Sequence, residues 1–215
     1  KRNEPALYRV HDRPSDDHIS ALRSVLSQAE IQRQRDELET LARRDPLTGL
    51  GNRRALFETF GAQQSGAQRL TGLVMLDLDH FKQINDRFGH AAGDRALEHF
   101  VDTCRAELRG TDAIGRLGGE EFGLLLPATN LEGGREVVER LRLRLKAVPS
   151  PKLPPSVGLS VSIGITELSA DDLPERIMSR ADMALYAAKT GGRDRTEALP
   201  PDDTAPPART VANAW

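Results

Sequence analysis

The chain has 215 residues, 38% of them hydrophobic and 29% charged, enough for one packed domain with something added. Lys plus Arg number 30 and Asp plus Glu 32, a formal net charge of -2, so the chain is no polycation built to coat nucleic acid. One cysteine, Cys104, excludes a disulfide framework, argues against a thiolate-rich zinc site and fits a reducing compartment.

No apolar run approaches the roughly 20 residues of a membrane span, and no secretory signal pattern opens the chain. Lys1 in place of Met leads us to expect a fragment. Upstream segments would then carry any sensor or membrane anchor.

Residues 1–16 are polar, contain Pro5 and Pro14, and read as a linker end. From Asp17 to Arg44 there is neither Pro nor Gly, and good helix formers dominate. Ile19, Leu22, Leu26 and Ala29 fall at helical spacing; so do Ile31, Leu38 and Leu41, with Gln34 in the seam, but out of register with the first set. The spacing predicts a long helix over 17–44 whose apolar stripe shifts once, either packed on its own domain or forming a parallel coiled-coil stalk.

Asp45-Pro-Leu-Thr-Gly-Leu-Gly-Asn-Arg-Arg breaks that helix, and Asn52 can cap a new one running to about Gln63. Leu70–Leu78 is almost continuously apolar, as in a buried central strand, and ends in Asp77 and Asp79. Helical patterns follow over 80–88 and 91–108. Asp112–Leu117 and Glu121–Leu126 read as two strands joined at Gly118-Gly119. Leu131–Val148 is an amphipathic helix, Val157–Leu168 a strand, and Leu173–Thr190 a helix with Gly191-Gly192 past its end. The proline-rich residues 200–215 read as a disordered tail. The element order predicts an α/β (α+β) fold, a sheet of mixed direction covered by helices.

Two clusters carry chemistry. Charge at the end of a buried strand calls for a compensating cation or a helix end. Asp77 therefore reads as a metal ligand, and Asp79 either as a ligand or as the cap of the helix starting near His80 or Phe81. The Gly118-Gly119 turn lets a bulky ligand approach the backbone, and Glu120 and Glu121 beside it can hold Mg²⁺ or move a proton. Carboxylates on two neighbouring strands suit two-metal phosphoryl or nucleotidyl transfer. No Gly-x-x-x-x-Gly-Lys-Ser/Thr motif is present, so a P-loop is not supported.

These motifs, together with Asp-Leu-Asp-His-Phe-Lys-Gln-Ile-Asn-Asp, Phe-Gly-His-Ala-Ala-Gly-Asp, Arg-Leu-Gly-Gly-Glu-Glu-Phe and Ala-Asp-Met-Ala-Leu-Tyr-Ala-Ala-Lys-Thr-Gly-Gly-Arg-Asp, occur in order between about Arg44 and Leu199. In this the chain resembles the GGDEF domain, the catalytic domain of bacterial diguanylate cyclases, with Glu120 giving an accepted variant of the signature. The resemblance implies a polymerase-palm or adenylyl-cyclase-like fold over 45–199. It also implies condensation of two GTP into cyclic di-GMP and two pyrophosphates across a cytoplasmic homodimer, joined through the N-terminal helix and facing active sites. Asp77 and Glu120 would ligate Mg²⁺, for which Mn²⁺ can substitute, with help from the Leu78 carbonyl, and Glu121 would stand beside them. Asn85 and Asp94 would read the guanine edge. Phe81, Lys82, Gly118, Gly119, Lys189 and Arg193 would complete the substrate site, the cations holding β- and γ-phosphates.

Arg109-Gly-Thr-Asp112 matches the family's product-binding inhibitory motif, and Arg140 a secondary contact to the same product. By itself Arg-x-x-Asp reads equally as a helix-end salt bridge, and Asn85 as a helix-end cap. The resemblance leads us to expect Asp45, with Arg53 or Arg54, to tie the stalk exit to the domain. A catalytically silent GTP or cyclic di-GMP receptor is the alternative. The aromatic content of 4% and the lack of a basic stripe leave no case for a nucleic-acid binder.

Overall fold

Leu70–Leu78 is the strand on which the sheet is built. The computed structural model describes residues 16–64, 70–168 and 172–201. Most of the expected linker and nearly all of the expected tail lie outside the described residues. The chain divides into two units, between Ala42 and Arg43.

The first unit is supplied by α1 (Asp16–Arg43), one unbroken helix. Its polar face is laced by local pairs, Arg33 to Glu30 at 2.9 Å and Gln32 to Asp36 at 2.8 Å. Leu26, Ile31 and Leu38 of the expected seam, and Val25 beside them, are all at least half exposed.

The second unit is a six-stranded sheet in the order β1-β3-β4-β2-β5-β6. β2 (Leu70–Leu78) is central, antiparallel to β4 (Glu121–Pro127) on one side and to β5 (Val161–Glu167) on the other. β3 (Ala113–Gly118) pairs antiparallel with β4 through the signature hairpin. The outermost strands, β1 (Gly51–Asn52) and β6 (Thr196–Leu199), pair parallel with β3 and β5. The mixed sheet is as expected. Neither outer strand carries an apolar pattern; each is a strand because its neighbour offers a free edge.

The alternation of β2 sets which residues face which layer. Val74, Leu76 and Leu78 join Phe100 and Val101 of α4 (His90–Glu107) and Val138 and Leu141 of α5 (Leu131–Ala147) in the larger core. Leu73 and Met75 point the other way, onto Leu56 and Phe60 of α2 (Arg53–Gln64) and Ile177, Ala181 and Leu185 of α6 (Pro174–Thr190). By this parity Asp77 faces α6. Cys104 is fully buried in the larger core, one helical turn after Phe100.

Asn52 caps α2 by accepting from the Ala55 amide at 3.1 Å, as its position predicts. Asp79 does not cap α3 (Phe81–Phe88). That helix starts from His80 in a left-handed conformation, with φ 57° and no side-chain cap. Asp79 is instead buried, its carboxylate accepting from Ser160 Oγ at 2.7 Å, Ser162 Oγ at 2.6 Å and the Asp194 amide at 3.0 Å. A strand-end carboxylate so fully engaged by donors belongs to the fold rather than to a ligand.

Candidate active site

The site forms where β2 ends against the hairpin and the C-terminal turn of α6. Asp77 lies opposite Glu121 across the β2–β4 pair, and the Leu78 amide donates to the Glu120 carbonyl at 3.3 Å. The sheet register therefore brings the three expected carboxylates, Asp77, Glu120 and Glu121, to one end. Burial pushes the Asp77 carboxyl above its ordinary range; Lys189 pulls it down, and the negative charges of Glu120 and Glu121 push it up again. Lys189 Nζ, from the last turn of α6, lies 2.6 Å from Asp77 Oδ2. An expected phosphate-binding cation and an expected metal ligand thus share one spot.

Among the described residues, no group of three or more His, Cys, Asp or Glu converges in a ready-made metal cage. Mg²⁺ sites in general keep several waters and take one or two carboxylates plus substrate phosphates rather than an all-protein shell. A mostly buried carboxylate beside two others, compensated by an ammonium, is a donor set suited to a divalent cation.

The hairpin turn needs its glycines. Gly118 has φ 155° and Gly119 φ 50°, in the region that L side chains avoid. Arg116, which the expected site did not include, holds this turn. Its Nε and Nη2 donate to the Gly119 carbonyl at 2.9 and 2.8 Å, and its Nη1 donates to both oxygens of Asp45 at 3.1 Å. Asp45 also accepts from the Thr48 amide and hydroxyl at 2.9 and 2.7 Å. Burial pushes the Asp45 carboxyl up, but Thr48 and Arg116 outweigh it and hold it below its ordinary range.

Asp45 therefore ties to Arg116. Arg54 pairs with Glu58 at 2.9 Å, and Arg53 lies over the Phe57 ring at 5.5 Å. A cleft of 720 Å³ beside the turn is lined by Asp45, Arg53, Phe57, Arg116, Gly118 and Gly119 among others; Asp77 and Glu120 lie outside it. The expected result for Arg116→Ala is a loss of roughly 10- to 100-fold in kcat, because the carbonyl immediately before Glu120 loses its anchor. Arg116→Lys should recover stability beside Asp45 but only part of kcat, since an ammonium lacks the planar fork. Steady-state kinetics and thermal melting of the two variants check this.

The remaining expected residues fall in two further places. Phe81, Lys82 and Asn85 lie on α3, and Asp94 lies in the first turns of α4. Phe81 is buried, Asn85 half-buried, and Lys82 and Asp94 are exposed. The Asn85 side chain lies over Gly93, the residue that precedes Asp94 in sequence. Arg193 follows α6 in a left-handed conformation with φ 62°, exposed, and its amide donates to the Ala188 carbonyl at 3.0 Å. Asp182 on α6, also absent from the expected site, shares this field. Burial first, then Glu121, raises its carboxyl against the pull of Arg53 and Lys189.

Arg109 and Asp112 form a turn, the Arg109 amide donating to Asp112 Oδ2 at 2.8 Å and the Asp112 amide to the Arg109 carbonyl at 3.0 Å. No salt bridge joins the two side chains, and Arg109 is exposed. Arg140 is engaged nearby, donating to Glu107 Oε2 at 2.5 Å and to the Glu107 carbonyl at 3.1 Å, while Arg144 holds the other carboxylate oxygen at 2.7 Å. Arg140, above all, holds the Glu107 carboxyl below its ordinary range.

The family described as "Diguanylate cyclase, GGDEF domain" matches residues 42–195, and the chain belongs to it. It is 47% identical over 156 residues to the diguanylate cyclase DgcP of Pseudomonas aeruginosa, spanning 71% of this chain but 23% of that protein. It thus covers about a quarter of that relative, and 36% of the probable diguanylate cyclase DgcT of Escherichia coli. The crystal structure of the coiled coil and GGDEF domain of DgcB from Caulobacter crescentus, in complex with c-di-GMP, superposes with a TM-score of 0.73 at 29% identity, covering 83% of this chain and 98% of that one. The active GGEEF domain of a diguanylate cyclase from Vibrio cholerae superposes with a TM-score of 0.62 at 31% identity, covering 68% and 96%.

Proposed function

We propose that this chain is a diguanylate cyclase, joining two GTP into cyclic di-GMP with release of two pyrophosphates. The observation that carries the reading is the meeting of Asp77, Glu120, Glu121 and Lys189 at the end of β2, beside a glycine turn that a nucleotide can approach closely. Asp77 and Glu120, with the Leu78 carbonyl, would hold Mg²⁺. When bound, the ion would neutralise phosphate charge and favour ionisation of the attacking hydroxyl.

The chain's own side chains do the rest. Lys189 and Arg193 hold the β- and γ-phosphates, so that the pyrophosphate leaves already neutralised. Asn85 and Asp94 grip the guanine. A carboxylate accepts from N1–H and the exocyclic amine together, a pair of donors adenine cannot present, and an unmatched polar group costs roughly 1–3 kcal/mol. The 3′-hydroxyl of one GTP attacks the α-phosphorus of the other, breaking its bond to pyrophosphate, and the second linkage closes by the same exchange.

One domain holds one GTP in this scheme, so two copies must face each other. The exposed apolar side chains of α1 suit a helix that brings them together and raises their effective concentration. The reaction belongs in the cytoplasm, where GTP is available; no described helix is long and apolar enough to cross a membrane. Arg109 and Asp112 form a product-binding inhibitory site, the exposed arginine offering a fork to phosphate and to the Hoogsteen edge of guanine. Arg140 would join that site by exchanging Glu107 for the product.

The test is the order of the reaction in protein and its course in time. The expected result is a rate steeper than linear in protein, falling as product accumulates, with the fall abolished in Arg109→Ala. A rate strictly linear in protein would contradict the two-domain site, and unchanged self-inhibition in Arg109→Ala would remove the inhibitory assignment.

A further inference from the structure

Gly93 is buried in α4, and its conformation gives no reason for a glycine, because its φ is not among the positive values. Glycine inside a helix is unfavourable relative to alanine, and the neighbouring buried positions in the same helix, Ala92 and Ala96, are alanine. Space supplies the reason. A Cβ on Gly93 would stand 2.0 Å from Asn85 Oδ1, 3.0 Å from Asn85 Cγ and 3.1 Å from Phe81 Cζ. The Asn85 backbone cannot retreat, since it sits within α3 and its carbonyl accepts from the Gly89 amide at 2.8 Å. Its side chain must therefore swing away from the place it now holds over Gly93, while the Phe81 ring gives by a few tenths of an ångström.

We infer that Gly93 is a specificity-determining residue: the bare backbone of α4 is the floor on which the Asn85 carboxamide lies, and it fixes where a guanine base is read. The inference rests on the assignment of Asn85 and Asp94 to the guanine edge. A methyl group at 93 displaces the far end of a flexible side chain, so the helix stays formed while the reading geometry is lost. Asp94, one residue further on, keeps its carboxylate but loses the amide that works with it.

The experiment measures GDP and ADP affinity by titration calorimetry for the parent chain, Asn85→Ala, Gly93→Ala and the double variant. GDP lacks the pyrophosphate leaving group and so binds without turnover, and circular dichroism melting checks each fold. The expected result is a loss of GDP affinity of about tenfold in Gly93→Ala, matching Asn85→Ala, with a narrowed preference for GDP over ADP in both. The double variant should bind GDP no more weakly than Asn85→Ala, because truncating Asn85 removes the 2.0 and 3.0 Å contacts and leaves only the 3.1 Å approach to Phe81, which a shift of a few tenths of an ångström relieves.

Asn85→Ala binding GDP like the parent would overturn the guanine assignment, and the inference with it. Asn85→Ala weakened with Gly93→Ala unaffected would overturn the inference alone, as would additive losses in the double variant. Should Gly93→Ala fail to fold, the double variant still decides. Affinity equal to that of Asn85→Ala supports the inference, and a further loss contradicts it.

Discussion

Asp77→Asn is expected to reduce cyclic di-GMP formation by roughly a thousandfold or more while the chain still folds. The side chain is 13% exposed and faces Lys189 of α6 rather than the apolar core. Burial, Glu120 and Glu121 all work against its charge, and Lys189 sustains it. Such a carboxylate costs stability to keep, and under the proposed function its use is to hold a cation against phosphate oxygens. A bound divalent ion contributes several kcal/mol to charge stabilisation in the transition state, and about 1.4 kcal/mol corresponds to each factor of ten. Asparagine keeps the shape but not the charge, and Lys189 can turn to solvent, so stability should change by no more than about 1 kcal/mol. Product chromatography and urea unfolding of the same preparation check both halves.

Asp79→Ala, two residues further on and just past the end of β2, is expected to do the reverse, lowering stability by about 3 kcal/mol before any effect on chemistry is seen. Asp79 is 4% exposed and accepts from two serine hydroxyls and the Asp194 amide. Without it, the fully buried Ser162 hydroxyl and the Asp194 amide lose their acceptor. Arg193 and Asp194 have φ of 62° and 45°, backbone conformations that hold only when their surroundings insist on them. Arg142 at 2.6 Å and Lys146 at 2.5 Å grip the Asp194 carboxylate from the other side. The loop carrying Arg193 should therefore loosen with Asp79 gone. Asp79→Asn, which retains an acceptor, should cost less. Urea unfolding of both variants gives the comparison; a fully stable Asp79→Ala would remove Asp79 from the fold's supports.

The contrast between these aspartates marks where the sequence is legible. Both follow an apolar run, and strand alternation, which puts residues two apart on one face, does not separate them. Which one meets donors depends on Ser160, Ser162 and Asp194, more than 80 residues downstream. The central strand, the hairpin and the helices can be read because each carries its own period or its own glycines. β1 and β6 cannot, because Gly51–Asn52 and Thr196–Leu199 become strands only through the edges beside them.

The carboxylates and lysine of the candidate site are legible as motif residues, and the sheet register brings Asp77 opposite Glu121. Arg116 stood inside the signature motif, yet nothing in its spacing says that a guanidinium would bridge Asp45 and the Gly119 carbonyl. Gly93 was hidden for the same reason: the side chain it makes room for belongs to another helix.

The most direct measurement is to incubate the purified chain with GTP and Mg²⁺ and resolve the nucleotides by chromatography with mass detection, with Asp77→Asn and a chelator as controls. Cyclic di-GMP and pyrophosphate in a ratio of one to two, absent from both controls, is the expected result. GTP recovered intact at every protein concentration, from a chain that still binds GTP or cyclic di-GMP, would contradict the enzyme and leave a receptor.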